Sequence, residues 1–343
     1  MSIQDVTSFV ARSVQRVIQN AAQPPSGDAS GRFRFLGVAL SLLVVIAAGL
    51  VLFYLLRGID LGRVLDAVRS KSGHDILLAA GFITVGYVTL TFYDFFSLRT
   101  IGRTQVPYRV AAMSSFTSYT IGHNLGATVF TAGAVRWRIY SAWGLSLVDV
   151  AKMAFVTGLT FWLGNIVVLS ICMIVEPEAA SAVDQLPSWI NRALGMFGLA
   201  VIALYLLWLA PSRRTIGRGD WAVTLPSAPL TFVQIGIGVL DLTVIGLAMF
   251  VLLPADPRVD FITVLVIYVT AMLLGFLSHA PGSLGVFEAA VLIALPQFAR
   301  EELLATLLIY RCLYFVLPLV VAVALLATRE LRLANRIAKR RCL

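Results

Sequence analysis

Apolar residues run almost without interruption through 36–56, 77–99, 147–175, 189–209, 229–253, 261–278 and 302–327. A helix needs roughly 20 such residues to cross about 30 Å of hydrocarbon, so these seven stretches predict transmembrane helices. Strands of a membrane barrel alternate between lipid and lumen at every second position, which continuous runs do not do. Two further stretches, 110–132 and 281–296, are apolar on average but are broken by Gly, Pro, His and Asn. Neither reads as a plain crossing. The expected fold is an all-α polytopic membrane protein, with about eight transmembrane helices and one or two broken or re-entrant segments. Ahead of the first span, Ile3, Val6, Val10, Val14, Val17 and Ile18 fall on one helical face, opposite Arg12, Gln15, Arg16 and Gln19. That segment reads either as an interfacial amphipathic helix or as a solvated tail. The expected organisation is a cytoplasmic segment 1–35, a transmembrane domain 36–327 and a basic cytoplasmic tail 328–343.

Composition agrees with the bilayer as outer solvent: 59% of the 343 residues are hydrophobic and 13% are charged, against about 25% charged in soluble domains. The net charge of +9 would suggest nucleic acid in a soluble protein. In a polytopic one, basic residues mark cytoplasmic loops. With the N-terminus inside and 110–132 re-entrant, nineteen of the 27 Lys and Arg fall on the cytoplasmic side, Arg136 and Arg138 among them. A full crossing by 110–132 would instead put the acidic loop of Glu176, Glu178 and Asp184 inside. On the same count, 281–296 completes a crossing so that the basic tail ends in the cytoplasm. The charge therefore describes orientation, and no nucleic-acid partner is expected. Cys172, Cys312 and Cys342 have no C-x-x-C spacing and give no disulfide framework.

Two stretches echo each other. Ser118 to Phe130 and Leu277 to Phe287 both carry His, then Leu-Gly, then Phe, and both lie where a helix is broken. Such an echo fits either an internal repeat with discontinuous helices near the midplane or small residues that let helices pack closely. The breaks mark His123, Asn124, Gly126, Gly133, His279, Pro281, Gly282 and Gly285 as helix-break or gating positions.

Four ionisable residues fall at hydrocarbon depth: Asp94, Asp241, Glu288 and Arg311. Each costs about 2.5–3.5 kcal/mol near the bilayer centre if unpaired, so they must face one another, a wet cavity or a ligand. Glu288 and Arg311 flank one short loop and are the natural pair. Either the charges form salt bridges that fix helix register, or they line a polar pathway. In the pathway reading Arg136, Arg138 and Arg311 attract a phosphate, which a guanidinium fork suits, while the carboxylates balance them or carry protons. Trp137, Tyr140 and Trp143 read as an interfacial aromatic belt. No H-E-x-x-H, G-x-S-x-G or P-loop is present; no enzyme activity, metal or cofactor is expected.

Two blocks carry a resemblance. The first holds Tyr93-Asp94, Gly126, Gly133 through Tyr140, Gly144-Leu-Ser146 and Trp162-Leu-Gly-Asn165. The second runs from His279 to Glu288 and on to Tyr310-Arg311-Cys-Leu-Tyr314 and Pro318. Together they resemble the lysylphosphatidylglycerol synthase transmembrane region, or flippase-like family, particularly its stand-alone inner-membrane members. Ala280 and Ser283 stand where that pattern often has Ile and Gly. The resemblance implies a bacterial inner-membrane protein, with Asp94, Arg136, Glu288 and Arg311 at the motif positions. About 16 residues follow the last span, so no aminoacyl-transferase activity is expected of this chain. Three functions follow as expectations. The first is a transporter of an anionic or phosphate-bearing lipid between leaflets. The others are a non-transporting subunit or regulator of a lipid-modifying enzyme, and a membrane transferase using a lipid-phosphate donor. Membrane lipids are the expected partners, with a second copy or a lipid enzyme as further ones.

Overall fold

The computed structural model describes residues 60–126, 128–211 and 214–341, with side chains to Arg329 except at 182 and 183. The segment 3–20 and the predicted span 36–56 lie outside the described residues. The chain is a helical bundle: α1 Leu61–Ser70, α2 Gly73–Thr100, α3 Tyr108–Leu125, α4 Thr128–Tyr140, α5 Leu147–Val175, α6 Pro177–Asp184, α7 Ser188–Leu209, α8 Ala228–Leu252, α9 Phe261–Ser278, α10 Val286–Ala294, α11 Arg300–Arg311 and α12 Leu317–Arg341. A two-residue β-ribbon, Thr215–Ile216 with Val223–Thr224, follows α7. Six stretches are long and apolar enough to cross a membrane: α2, α5, α7, α8, α9 and the continuous 300–329. The protein is a polytopic all-α membrane protein.

One end of the bundle is marked by the start of α2 and the end of α8, where Lys71 Nζ donates to the Leu252 carbonyl at 2.7 Å. Thr306 of α11 donates to the same carbonyl at 2.8 Å. The opposite end joins the end of α2 to the start of α5, through Ser97 to the Met153 carbonyl and Arg103 to Asp149 at 2.8 Å. Leu98, Val106, Ala111, Ile139, Tyr140, Leu145 and Met153 form one apolar cluster at that end. Both the entry to α3 and the exit from α4 thus lie there, and α3–α4 is a re-entrant hairpin.

The second broken segment differs from its expected crossing. Helix α10 has nine residues, about 14 Å at 1.5 Å per residue, roughly half the hydrocarbon thickness. It runs back along α9: a Cβ on Gly275 would meet Ser283, and Phe287 lies 5.9 Å from Tyr268 between ring centroids. Phe298, beyond α10, shares a concavity with Val259, ahead of α9, and with Lys71. This hairpin therefore enters and leaves at the α1 end, opposite to α3–α4. Since neither α9 nor α10 then crosses, the final span still runs in the direction the charge count required.

The two hairpins meet tip to tip. Gly126, at φ +72°, lies where a Cβ would come within 2.9 Å of the His279 carbonyl oxygen and 3.1 Å of the Pro281 nitrogen. Its counterpart in the sequence echo, Gly285, also has a positive φ of 82° and also precedes a return helix. The helix lengths repeat in order. Helices α2, α3, α4 and α5 have 28, 18, 13 and 29 residues; α8, α9, α10 and the 300–329 stretch have 25, 18, 9 and 30. Because α2 and α8 run in opposite directions, the two units are inverted relative to one another. Their leading helices pack together, as do α5 and α8 at a close crossing where a Cβ on Gly164 would lie 2.7 Å from the Gly238 Cα. Small residues at such crossings let helices approach in the absence of a hydrophobic drive.

Gly126→Ala adds a methyl group between the tips and forces a left-handed backbone on an L-residue. We expect a loss of about 1–2 kcal/mol or more, read as a lowered unfolding midpoint in detergent micelles. An unchanged midpoint would contradict the tip contact.

Candidate functional site

Broken helices inside a membrane leave backbone groups that only protein can satisfy. At the first tip, Thr128 and Thr131 hydroxyls donate to the carbonyls of Gly122 and Gly126 at 3.3 and 3.0 Å. At the second, Ser278 Oγ accepts from Ala280 N–H at 3.2 Å and donates to the Gly275 carbonyl at 2.7 Å. Glu288 then accepts from the Gly285 N–H at 2.8 Å, and Arg311 donates to the Gly282 carbonyl at 3.0 Å. The Arg311 Nε also donates to Glu288, closing the expected pair. This pair therefore holds both sides of the second break, and the Arg311 guanidinium lies 5.1 Å from the Phe315 ring centroid.

A corresponding pair holds the first hairpin. Arg136 of α4 donates from Nε to both Asp94 oxygens at 3.0 and 3.1 Å and from a terminal nitrogen at 2.7 Å. The Tyr140 hydroxyl donates to the same carboxylate at 2.8 Å, and the Arg136 guanidinium stacks over Tyr119 at 4.6 Å. Asp94 is 0% and Arg136 4% exposed. Two expectations are corrected here. Arg136 is a buried ion-pair partner rather than a cytoplasmic loop charge, and Tyr140 is buried rather than part of an aromatic belt. Both sit on the face of α4 that packs into the bundle, whereas Trp137 and Arg138 are exposed on another face.

The tips close one end of a cavity of about 310 Å³. Arg136, Asp241, His123 and the tyrosines 93, 119, 268, 310 and 314 give it a polar wall. Its rim includes Val129, Phe130 and Trp162, which are 62, 81 and 42% exposed. Among the described residues, Asp94, Glu288 and Arg311 do not line it, so the predicted charges divide into two latches and one cavity wall. His123 stacks on Tyr314, with centroids 6.2 Å apart. Asn124 donates to the carbonyls of Thr120 and Phe315 at 2.8 and 3.3 Å. Gly126, Pro281, Gly282 and Gly285 are in the breaks, and His279, at φ +56°, ends α9 and lines the cavity. Gly133 is not at a break: it lies within regular helix, with open space where its Cβ would be.

No protein-family profile matches the chain. The uncharacterized protein slr0712 of Synechocystis sp. is 30% identical over 242 residues, which cover 70% of this chain and 75% of that protein. The inner membrane protein YbhN of Escherichia coli is 28% identical over 298 residues, 85% of this chain and 91% of YbhN. The chain belongs to the YbhN-type family of membrane proteins. A shorter match, 36% identical over 72 residues, covers 20% of this chain and 9% of the phosphatidylglycerol lysyltransferase of Staphylococcus haemolyticus.

In this YbhN-type chain the structure adds residues that motif reading passed over. Residues Cys312–Val316 form a π-helical turn. Pro318 explains it, because it has no N–H for the Tyr314 carbonyl and its ring crowds that oxygen. Tyr87 donates its hydroxyl to the freed carbonyl at 2.8 Å, and Asn124 serves the next one. Pro318 inside an apolar run was the visible signal for this turn. A second, wider concavity of about 970 Å³ at the α1 end carries mixed charge from Asp66, Lys71, Asp75, Arg258 and Glu302. Burial there pushes the Lys71 ammonium down against the opposing pull of Glu302 and Asp75.

Asp94→Asn leaves the Arg136 charge buried without its counter-ion, which costs about 3–5 kcal/mol. Chemical unfolding in micelles should show a loss of that size. Replacing both partners, as Asp94→Leu with Arg136→Met, should cost much less. Equal losses in the single and paired variants would contradict the latch.

Proposed function

We propose that the protein carries a phosphate-bearing membrane lipid between leaflets, taking the headgroup into the Arg136–Asp241 cavity while the acyl chains stay in lipid. The observation that carries this reading is a mainly apolar cavity with an exposed apolar rim, into which Arg136, Asp241, His123 and five tyrosines bring polar groups. Its volume of about 310 Å³ is at the low end of ligand pockets, which run from about 300 to 1,000 Å³; it is enough for a headgroup and too small for two chains. Arg136 lines the cavity with its charge balanced by Asp94, and tyrosine hydroxyls both donate and accept. Two inverted hairpins meeting at the tips beside one cavity match the arrangement of transporters built from inverted repeats. The match to a phosphatidylglycerol lysyltransferase supports a lipid cargo. YbhN supports placement in a bacterial inner membrane, with the termini in the cytoplasm by the charge count. In this reading the chain is a transporter and not an enzyme.

Gly158 lines the cavity, and a Cβ there meets nothing within 4 Å. Gly158→Leu therefore fills the cavity without displacing the fold. In vesicles of phosphatidylethanolamine and phosphatidylglycerol, we expect the wild-type protein to speed leaflet exchange of fluorescent phosphatidylglycerol. Gly158→Leu should slow it about tenfold or more, equivalent to about 1.4 kcal/mol or more in the barrier, with the unfolding midpoint retained. Wild-type exchange no faster than in protein-free vesicles, together with copurification of a lipid-modifying enzyme, would favour the subunit reading instead.

A further inference from the structure

Three of the carboxylates, Asp94, Asp241 and Glu288, lie at hydrocarbon depth, and two are fully engaged. Asp94 receives three hydrogen bonds from Arg136 and one from Tyr140. Glu288 receives Arg311 and the Gly285 amide. Asp241, fourteenth of the 25 residues of α8, has no ion pair among the described residues and receives no backbone amide. It is half-buried and faces the cavity.

The groups around it are almost all neutral. From α2, the Tyr93 and Tyr87 hydroxyls lie within electrostatic reach of the carboxylate. Tyr268 faces it from α9 and Tyr314 from the π turn. Helix α5 contributes Ala154, Thr157, Gly158, Phe161 and Trp162, none of which titrates. Farther round the wall stand Tyr119 and His123 of α3, His279, Tyr310 and Arg136, the last already neutralised by Asp94. Helix α2 approaches closely through Gly86, where a Cβ would meet Ile245 and lie 3.6 Å from the Asp241 Oδ1. A metal cation is a poor counter-ion here. Among the described residues, no group of three His, Cys, Asp or Glu can hold one, and hard cations take six or so oxygen ligands.

We propose that Asp241 is a proton-carrying site that couples headgroup occupancy to protonation. This rests on the transport reading for its role, though its chemistry is testable without transport. A proton from water at the acidic face forms an O–H bond at an Asp241 carboxylate oxygen, and that bond breaks when the proton returns to water at the other face. The neutral acid donates to a tyrosine oxygen or to the headgroup, and it removes a like charge from an anionic headgroup. Binding such a headgroup therefore favours the protonated acid, and by reciprocity protonation favours the headgroup. Lipid then moves with the proton, from the acidic leaflet to the alkaline one.

Infrared difference spectra of the purified full chain in micelles, recorded across the neutral pH range, should show a carboxylic-acid carbonyl band. The band should be absent from Asp241→Asn and shifted in frequency, but present, in Tyr93→Phe. A wild-type protein with no such band, or a band unaltered in both variants, overturns the proposal even if lipid exchange occurs. In the phosphatidylethanolamine and phosphatidylglycerol vesicles, a pH gradient should raise wild-type transfer of fluorescent phosphatidylglycerol from the acidic to the alkaline leaflet by about tenfold over the reverse direction. The ratio of the two directions should fall to one in Asp241→Asn. A wild-type ratio of one overturns the coupling. If no variant exchanges lipid but the band behaves as expected, the transport reading fails and the protonation site stands.

Discussion

A charge or a bare backbone group in hydrocarbon has no water to turn to, and the architecture of this protein follows from how that demand is met. Each re-entrant hairpin turns back at mid-bundle, and each return limb is latched by an arginine–carboxylate pair to a long helix. Arg136 on α4 meets Asp94 on α2; Glu288 on α10 meets Arg311 on α11. The pairs do more than neutralise each other. Tyr140 completes the first, and the second takes up the Gly282 carbonyl and the Gly285 amide. Breaking a buried pair from one side leaves an uncompensated charge, so the latches hold the tips where they meet at Gly126 and His279.

With the hairpins held, the cavity follows. Its walls come from α2, α5, α8 and both tips, and its aromatic lining is anchored through the π turn that Pro318 forces. Two of the three intramembrane carboxylates belong to the scaffold. Asp241 alone of these faces the cavity without a cation among the described residues, which sets it apart from the two that hold the hairpins.

Much of this was legible in the sequence, for physical reasons. Continuous apolar runs give span positions directly, and the long helices agree with them to within a few residues. The expense of charge in lipid singled out Asp94, Asp241, Glu288 and Arg311, and proximity along the chain paired the last two. Arg136 was misread because the orientation count treats every arginine near a span end as a loop charge, while its partner Asp94 lies 42 residues away in sequence. The direction of the second hairpin was also hidden. Apolar content alone cannot distinguish an 18-residue helix that crosses from one that turns back at a glycine-rich break. The sequence echo was weak in letters and clear in geometry, since what is repeated is the order of helix lengths and a positive-φ glycine before each return limb.

The most direct test of a headgroup cavity latched between opposed hairpins is a high-resolution density map of the protein in lipid nanodiscs of phosphatidylethanolamine and phosphatidylglycerol. Headgroup density is expected between Arg136 and Asp241, with acyl chains leaving past Phe130 and Trp162. Lipid density confined to the outer surface, with that cavity filled by side chains, would contradict it.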